Sequence, residues 1–406
     1  MISEKVELRG HIVDSLLLPR VLDEITGRDA RFEIEELTVG RRREDPSYAR
    51  IRIEAENPPL LEEILQRVQE HGAELVDAGD VRLEPAPADG VFPDGFYVTS
   101  NHPSAVRHGG DWLPVHPVRM DCGVVVDPQA RTARSVRFPE VRAGDRVVVG
   151  HRGTRVEHLQ RDVRKRDAFE FMASDVSAEK PKSVAIRAVA ETMRELRDAG
   201  KKLLLVAGPA VVHTGAVPHV VRLIELGYVQ RLFAGNALAV HDIERDLYGT
   251  ALGVHLEHGY PMESGHQHHL HAINRIRAAG GIRPAVEQGL LKGGIMHACV
   301  RHGVDFVLGG SVRDDGPLPE VITDVIQAQL TMAEKVHDVG FALMVATMLH
   351  SIATGNLLPA TCRIACVDIN AGVVTKLADR GSFQAVGIVT DVEPFFHELL
   401  GHLDPR

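Results

Sequence analysis

The chain has 406 residues, of which 44% are hydrophobic and 4% aromatic, and a formal net charge of -10 at pH 7. A length of this order buries enough apolar surface for two or three globular domains. An acidic balance with few rings argues against a nucleic-acid binder, which needs a basic face and stacking platforms, so the expected partner is a small molecule.

No apolar run approaches the ~20 residues that cross a bilayer, and the N-terminus MISEKVELRG lacks a basic and then apolar leader. No membrane contact is expected, and the expected location is the cytoplasm. Cys122, Cys299, Cys362 and Cys366 are scattered, so structural disulfides are not expected.

Residues 1–90 read as an independent unit. VELRGHIV alternates like a strand, and DSLLLPRVLDEIT is helical with Asp14 as its N-cap. RFEIEELTV and SYARIRIEAE alternate again, PPLLEEILQRVQEHG is an amphipathic helix, and DVRLEPA closes the unit as a strand. The order β-α-β-β-α-β is that of a ferredoxin-like domain, whose default role is assembly or scaffolding.

PAPADGVFPDG is a linker by composition. Residues 96–155 then hold YVTSN, VRMDCGVVVD, ARSVRF and DRVVVG, separated by turn residues. That spacing predicts a small β-rich domain, a barrel or a sandwich. Cys122 follows Asp121, with His102 and His116 nearby in sequence. A buried structural thiol is the expected role, and a nucleophile the sharper alternative. Residues 156–200 read as a helical connector ending at Gly200.

From 201 to 406 the texture is α/β. KKLLLVAG, VQRLFAG, GVDFVLGG, FALMVATMLHS, RIACVDIN and AVGIVTDV each run apolar and end in small or polar residues, as parallel strands buried on both faces do. Parallel strands share a direction, so one edge collects Asn236, the Asp314 and Asp315 loop, Thr347 to His350, Asp368 and Asp391. Gly208 and Gly215 do not reproduce the dinucleotide fingerprint G-x-G-x-x-G. Asn236 also stands where an acidic ribose ligand is expected after the second strand. The fold class is therefore α/β, with a Rossmann-like parallel sheet behind the two smaller domains.

The stretch VDFVLGGSVRDDGPLP is the most chemically loaded. Ser311, Arg313, Asp314 and Asp315 arrive together, and Gly316, Pro317 and Pro319 hold off helix until Glu320. A solvated turn and helix cap is the plain reading, and a substrate loop the sharper one. Asp314 is a candidate base, and Arg313 is either a clamp for a carboxylate or a member of a structural salt bridge. Lys292 in GLLKGGIMHAC is either a surface lysine or, more sharply, a desolvated base or Schiff-base amine. His255, His258, His266, His268, His269 and His271 crowd one segment without an H-E-x-x-H or cysteine anchor, so proton shuttling is preferred there to metal binding.

ELRGHIVDSLLLPRVLD with DPSYARI resembles the conserved region named after lysine-oxoglutarate reductase and saccharopine dehydrogenase. TSNHPSAVRHGGDWLPV, FEFMASDVSAEKP, FAGNALAVHDIE, GHQHHLHAIN, GGSVRDDGPLP, ATMLHSIATGN and QAVGIVTDVEPF together resemble the archaeal-type ornithine cyclodeaminases, a module that also ends the cyanobacterial bifunctional arginine dihydrolases. The resemblance implies a Rossmann-like domain holding NAD, a homo-oligomer (dimer or tetramer), and conversion of L-ornithine to L-proline and ammonia. The family's NAD-contacting pattern falls on Asn236, Ala237, Asp315, Thr347, Met348, Leu349, His350 and Asp368, with Asp391 and Val392 at its margin. Two alternatives stay open. One is an NAD-dependent dehydrogenase of the lysine or saccharopine type, and the other is a regulatory protein that senses NAD without turnover.

Overall fold

The computed structural model describes residues 2–13, 16–40, 42, 45–76, 78–157, 182–251, 254–255, 268–314, 316–378 and 385–404. The chain divides into two compact units, Met1–Arg166 with Pro359–Thr361, and Asp167–Leu358 with Cys362–Arg406.

The first unit opens with β1 (Ile2–Gly10), α1 (Leu17–Thr26), β2 (Arg31–Thr38), β3 (Ser47–Ala55), α2 (Pro58–Glu70) and β4 (Glu74–Leu75). The strands lie in the order β2-β3-β1-β4, the ferredoxin-like arrangement expected from the sequence. Alternation in β3 sends Ala49, Ile51, Ile53 and Ala55 to one face, where they meet Val21 and Ile25 of α1 and Leu61, Ile64 and Val68 of α2. Asn57 starts α2 by accepting the Leu60 amide at 3.0 Å, and Pro58 stands in the first turn where no amide hydrogen is needed. The expected cap Asp14 lies outside the described residues.

One boundary differs from expectation. DVRLEPA does form a strand, β5 (Arg82–Pro85), but it pairs antiparallel with β10 (Arg146–Val149) in the next sheet. The ferredoxin-like sheet is closed by the two-residue β4, too short to leave a periodic signal. β6 (Ser104–His108) and β7 (Asp111–His116) form a hairpin turned by Gly109 and Gly110, both at positive φ. With β8 (Gly123–Asp127), β9 (Thr132–Val136) and β11 (Thr154–Val156) they complete a sheet ordered β11-β6-β7-β9-β8-β10-β5. YVTSN is not a strand. It runs beside the sheet through single bonds, Tyr97 to Val148 and Thr99 to Cys122.

In the second unit, α3 (Lys182–Asp198) leads into β12 (Lys202–Ala207). Helices α4 (Ala210–His213) and α5 (Val217–Glu225) return the chain to β13 (Arg231–Gly235), and α6 (Asn236–Tyr248) follows at once. A short ribbon of β14 (Thr250–Ala251) and β15 (Val254–His255) precedes α7 (His268–Ala279), α8 (Ile282–Glu287) and α9 (Gly294–Arg301). Next come β16 (Asp305–Gly309), β17 (Val321–Ile322), α10 (Val325–Glu334) and β18 (Val339–Val345). The unit ends with α11 (Met348–Leu357), β19 (Arg363–Asp368), α12 (Ala371–Ala378), β20 (Ala385–Val389) and α13 (Val392–Leu403).

Seven strands pair in parallel in the order β17-β16-β13-β12-β18-β19-β20. All six strands expected from the sequence are present, and β17 adds a two-residue edge. Helix starts only at Val325, after Asp324 caps it through the Ile326 and Gln327 amides, rather than at Glu320. Successive side chains feed opposite layers. Leu203, Leu205, Leu232, Ala234, Phe341 and Leu343 join one core with α3, α5, α6 and α13, while Leu204, Val206, Phe233, Ala342 and Met344 join the other with α10 and α11. No described helix is long and apolar enough to cross a membrane.

Candidate functional site

Moving outward from β12, chain order runs through β13, β16 and β17 on one side and through β18, β19 and β20 on the other. The reversal falls between β12 and β18, and in an open parallel sheet the crevice beyond that switch point is where ligands bind. Gly208 and Ala346 form its floor. The Gly208 amide donates to Val345 at 3.0 Å, and a side chain on Gly208 would collide with the Ala346 carbonyl. Ala346 takes a positive φ of 52°, an uncommon conformation for a residue with a Cβ, and this turns the chain sharply into α11.

The helix that starts there has no side-chain cap. Thr347 is its N-cap residue but makes no capping hydrogen bond, whereas Asp324 and Asp391 cap α10 and α13 through backbone amides. Free amides and the positive end of the helix dipole together suit an anion such as a diphosphate. Asp368 ends β19 about twenty residues beyond Thr347, the spacing at which a dinucleotide unit places its ribose-binding acid. An acid at that spacing, lacking after β13, is present in the β18-α11-β19 half of the sheet. On these grounds the crevice residues fit a dinucleotide.

His350 sits over the ends of two neighbouring strands. A Cβ on Gly235 would come within 3.3 Å of His350 Cε1, and one on Gly309 within 3.3 Å of Nε2. Glycine at both positions lets the ring sit at this depth without shifting. Burial pushes the pKa of His350 below its ordinary value, so the imidazole is neutral at physiological pH.

The sheet edge brings together most of the residues singled out in the sequence. Thr347 and Asp368 are half-buried there, Met348 and Leu349 are exposed on the first turn of α11, and Ala237 is half-buried at the start of α6. Asn236 is buried and holds the loop after β16, its Oδ1 accepting the Leu318 amide at 3.1 Å and its Nδ2 donating to Gly316 O at 3.4 Å. Asp391 is occupied as the cap of α13, and Val392 is buried behind it. Asp315 lies outside the described residues, as do His258 and His266.

The chemical candidates fare differently. Asp314 closes its own turn, accepting the Ser311 amide at 2.8 Å and the Ser311 hydroxyl at 3.2 Å, so its carboxylate has a structural task. Arg313 is exposed on the same loop. Lys292 is exposed, and its backbone amide is held by Asp246 at 2.9 Å. Asp246 stands ten residues into α6, about 15 Å along the helix from the sheet edge. Lys292 is therefore a surface lysine rather than a desolvated base. Cys122 is buried, and burial raises its thiol pKa, which matches the structural role rather than a nucleophile.

Three features escaped the sequence. Asp242 is fully buried on α6 and caps α9 by accepting the Ile295 and Met296 amides, each at 2.8 Å, and burial pushes its pKa up to about 6. Beside it His241 and Glu244, one helical turn apart, form a buried imidazole–carboxylate pair at 3.1 Å. Only their i, i+3 spacing in ALAVHDIERD hinted at this. A surface trio of His219, Glu393 and His397 also gathers between α5 and α13, with His219 Nε2 3.2 Å from Glu393 Oε1.

Family models match the chain along its length. Residues 3–102 match the LOR/SDH bifunctional enzyme conserved region, 103–186 the first region of the arginine dihydrolase ArgZ-like C-terminal part, and 187–399 its Rossmann fold. A protein of Methanothermobacter thermautotrophicus named ornithine cyclodeaminase is 52% identical over 400 residues, covering 98% of this chain and 97% of that protein. Among solved structures, apo ArgZ, an arginine dihydrolase from the ornithine-ammonia cycle in cyanobacteria, superposes with a TM-score of 0.86 at 36% identity. The ternary complex of AgrE with ornithine and NAD+ does so with a TM-score of 0.55 at 40% identity. Both alignments cover 100% of this chain and 58% of the other. An end-to-end relative and a family model spanning more than half of the sequence lead to one conclusion: this chain belongs to the ArgZ-like C-terminal family, at the length of its archaeal members.

Proposed function

We propose that this protein is an ornithine cyclodeaminase, converting L-ornithine to L-proline and ammonia with NAD as a cofactor restored in every turnover. The observation that carries this reading is the switch-point crevice with its uncapped α11 and the acid at the end of β19, in a chain that aligns end to end with an archaeal ornithine cyclodeaminase. The AgrE relative has been crystallised with ornithine and NAD+ together.

When bound, NAD accepts a hydride from the α-carbon of the substrate and gives it back after ring closure. The chain's own residues supply position and electrostatics. Thr347, Met348 and Leu349 would present the amides of α11 to the diphosphate, and Asp368 would take the ribose hydroxyls. His350, neutral and packed over Gly235 and Gly309, walls the crevice against water, which would otherwise hydrolyse the substrate imine. Asn236 fixes the loop that carries Arg313, and Arg313 clamps the substrate carboxylate. Ala237 would complete the cofactor wall, with Asp391 and Val392 at its rim, and Asp315 belongs to the same proposed set of residues. Holding both amino groups in one bound molecule makes ring closure unimolecular, worth up to about 7–11 kcal/mol of barrier.

Four free, buried cysteines suit a reducing compartment such as the cytoplasm. A homo-oligomer, dimer or tetramer, belongs to the same reading and is checked by light scattering. The function is tested by incubating the protein with ornithine and a trace of NAD while following proline, ammonia and NADH absorbance. Proline and ammonia in equal amounts without net NADH are expected. Stoichiometric NADH would instead identify a dehydrogenase, and tight NAD binding without turnover a sensor.

A further inference from the structure

A buried polar chain links His213 of α4, His241 and Glu244 of α6, Thr250 of β14 and His268 of α7, and the cofactor site described above assigns it no part. His241 Nδ1 lies 3.1 Å from Glu244 Oε2, and the Thr250 hydroxyl donates to Glu244 Oε1 at 2.9 Å. The same hydroxyl oxygen lies 2.9 Å from His268 Nδ1. Because the threonine proton is committed to Glu244, His268 is the donor in that contact. His213 packs edge-on against His241 with ring centroids 4.9 Å apart, and its buried Nε2 has no hydrogen-bond partner among the described residues. Glu244 and Thr250 are 0% exposed.

The location matters as much as the chemistry. α4, which carries His213, begins two residues after Gly208, and His241 lies about 7.5 Å along α6 from the sheet edge. Asp242, the next residue, turns its carboxylate to the α9 amides, leaving Glu244 as the carboxylate that faces His241. A glutamate is rarely buried fully unless paired, and an imidazole whose Nδ1 is fixed by a carboxylate presents Nε2 as the working nitrogen.

The reaction has a matching need. At neutral pH ornithine enters with two ammonium groups. Each must give up one proton, the α-nitrogen before its carbon is oxidised and the δ-nitrogen before it attacks. The same two protons return, one to the ammonia released as ammonium and one to the ring nitrogen of proline, so the sum is ornithine cation to proline plus ammonium. A site that excludes water must hold those protons in the meantime.

Resting on the function proposed above, we infer that His241, oriented by Glu244, is the group that takes protons from the substrate ammonium groups and returns them. In this scheme His213 is a second imidazole packed against His241, and Thr250 and His268 extend the wiring behind the carboxylate. His213 is held neutral in the resting state by burial first and by His241 second.

The decisive variant is His241→Asn, whose side-chain amide reproduces the Nδ1 donor to Glu244 but cannot carry a proton. Expected are a melting temperature and NAD and ornithine affinities near those of the wild type, with kcat lower by about 10²-fold or more. Glu244→Gln should lose kcat in the same proportion and should move the imidazole nitrogen NMR shifts of His241 in the protein without cofactor. His241→Gly should recover turnover on addition of imidazole. A His241→Asn enzyme with wild-type kcat, or a glycine variant that imidazole does not rescue, overturns the relay while leaving the cyclodeaminase assignment standing. A wild-type protein that makes no proline overturns both.

Discussion

Gly208 abuts the Ala346 carbonyl so closely that a single methyl group cannot be placed between them. This contact joins the ends of β12 and β18 at the point where strand order reverses, and the proposed nucleotide crevice is built directly on it. Gly208→Ala must therefore push Ala346 and the start of α11 apart. We expect a stability loss of about 1–3 kcal/mol, the usual range for overpacking, together with at least tenfold weaker NAD binding. Paired thermal melts and NAD titrations check this, and unchanged affinity would detach the crevice from the cofactor.

Gly309 and His350 give a gentler probe. A methyl at Gly309 meets Nε2 at 3.3 Å, a distance the ring can relieve by a small shift. Gly309→Ala should keep the fold and weaken NAD binding by a few-fold, and His350→Ala should weaken it by about tenfold, or ~1.4 kcal/mol. Equilibrium dialysis with NAD reads both. His350 variants that bind as the wild type does would remove the ring from the cofactor wall.

Asp242 predicts a purely structural effect. Its carboxylate satisfies two amides at the start of α9, and Gly294 leaves it room, since a Cβ there would lie 2.6 Å from the carboxylate. Asp242→Ala should cost about 2–4 kcal/mol, a lost cap plus unsatisfied buried amides. Denaturant unfolding measures this. A change below about 0.5 kcal/mol would mean that water or relaxation replaces the cap.

Acid should loosen the first unit in two steps. Burial lowers the pKa of His151 from 6.5 to about 4, so between those values the unfolded chain binds a proton that the folded one does not. Stability is then full above pH 6.5 and falls as pH drops toward 4, by up to about 3 kcal/mol. Glu7 is held at about 2 instead of 4.5, chiefly by Arg9, against burial and with Arg50 and Tyr48 adding to the pull. Its contribution is present above pH 4.5 and lost as pH falls toward 2. His151→Phe should flatten the first step, and Glu7→Gln the second, in urea melts taken across pH.

The loop after β16 separates two roles. Asp314 holds Ser311, and an asparagine oxygen can accept the same amide. Asp314→Asn should therefore keep turnover within about threefold of the wild type, where a general base would lose at least about a hundredfold. Lys292→Ala should leave turnover unchanged, because the side chain is exposed and remote from the sheet edge. Steady-state proline formation distinguishes the cases.

The parallel sheet was legible in the sequence because buried strands such as KLLLVA and RLFAG are continuous apolar runs ended by small residues. β4 and β17 were not, since two residues carry no period. DVRLEPA was read correctly as a strand and assigned to the wrong sheet, because its partner β10 lies some sixty residues away. The sheet edge could be anticipated from strand direction alone. The tasks of Asn236, Asp314 and Asp242 could not, since each depends on which amide the fold carries to it. The His241–Glu244 pair was hidden for a related reason: polar residues at i and i+3 normally face solvent, and only the packing of α4, α7 and α9 around α6 turns them inward.

The most direct measurement uses ornithine carrying deuterium at the α-carbon with NAD far below the enzyme's total turnover. A hydride that leaves and returns within one active site puts that deuterium at the α-carbon of proline, with one ammonium per proline and no accumulated NADH. Proline that has lost the label to solvent, deuterated NADH building up with turnover, or no proline at all would contradict the account.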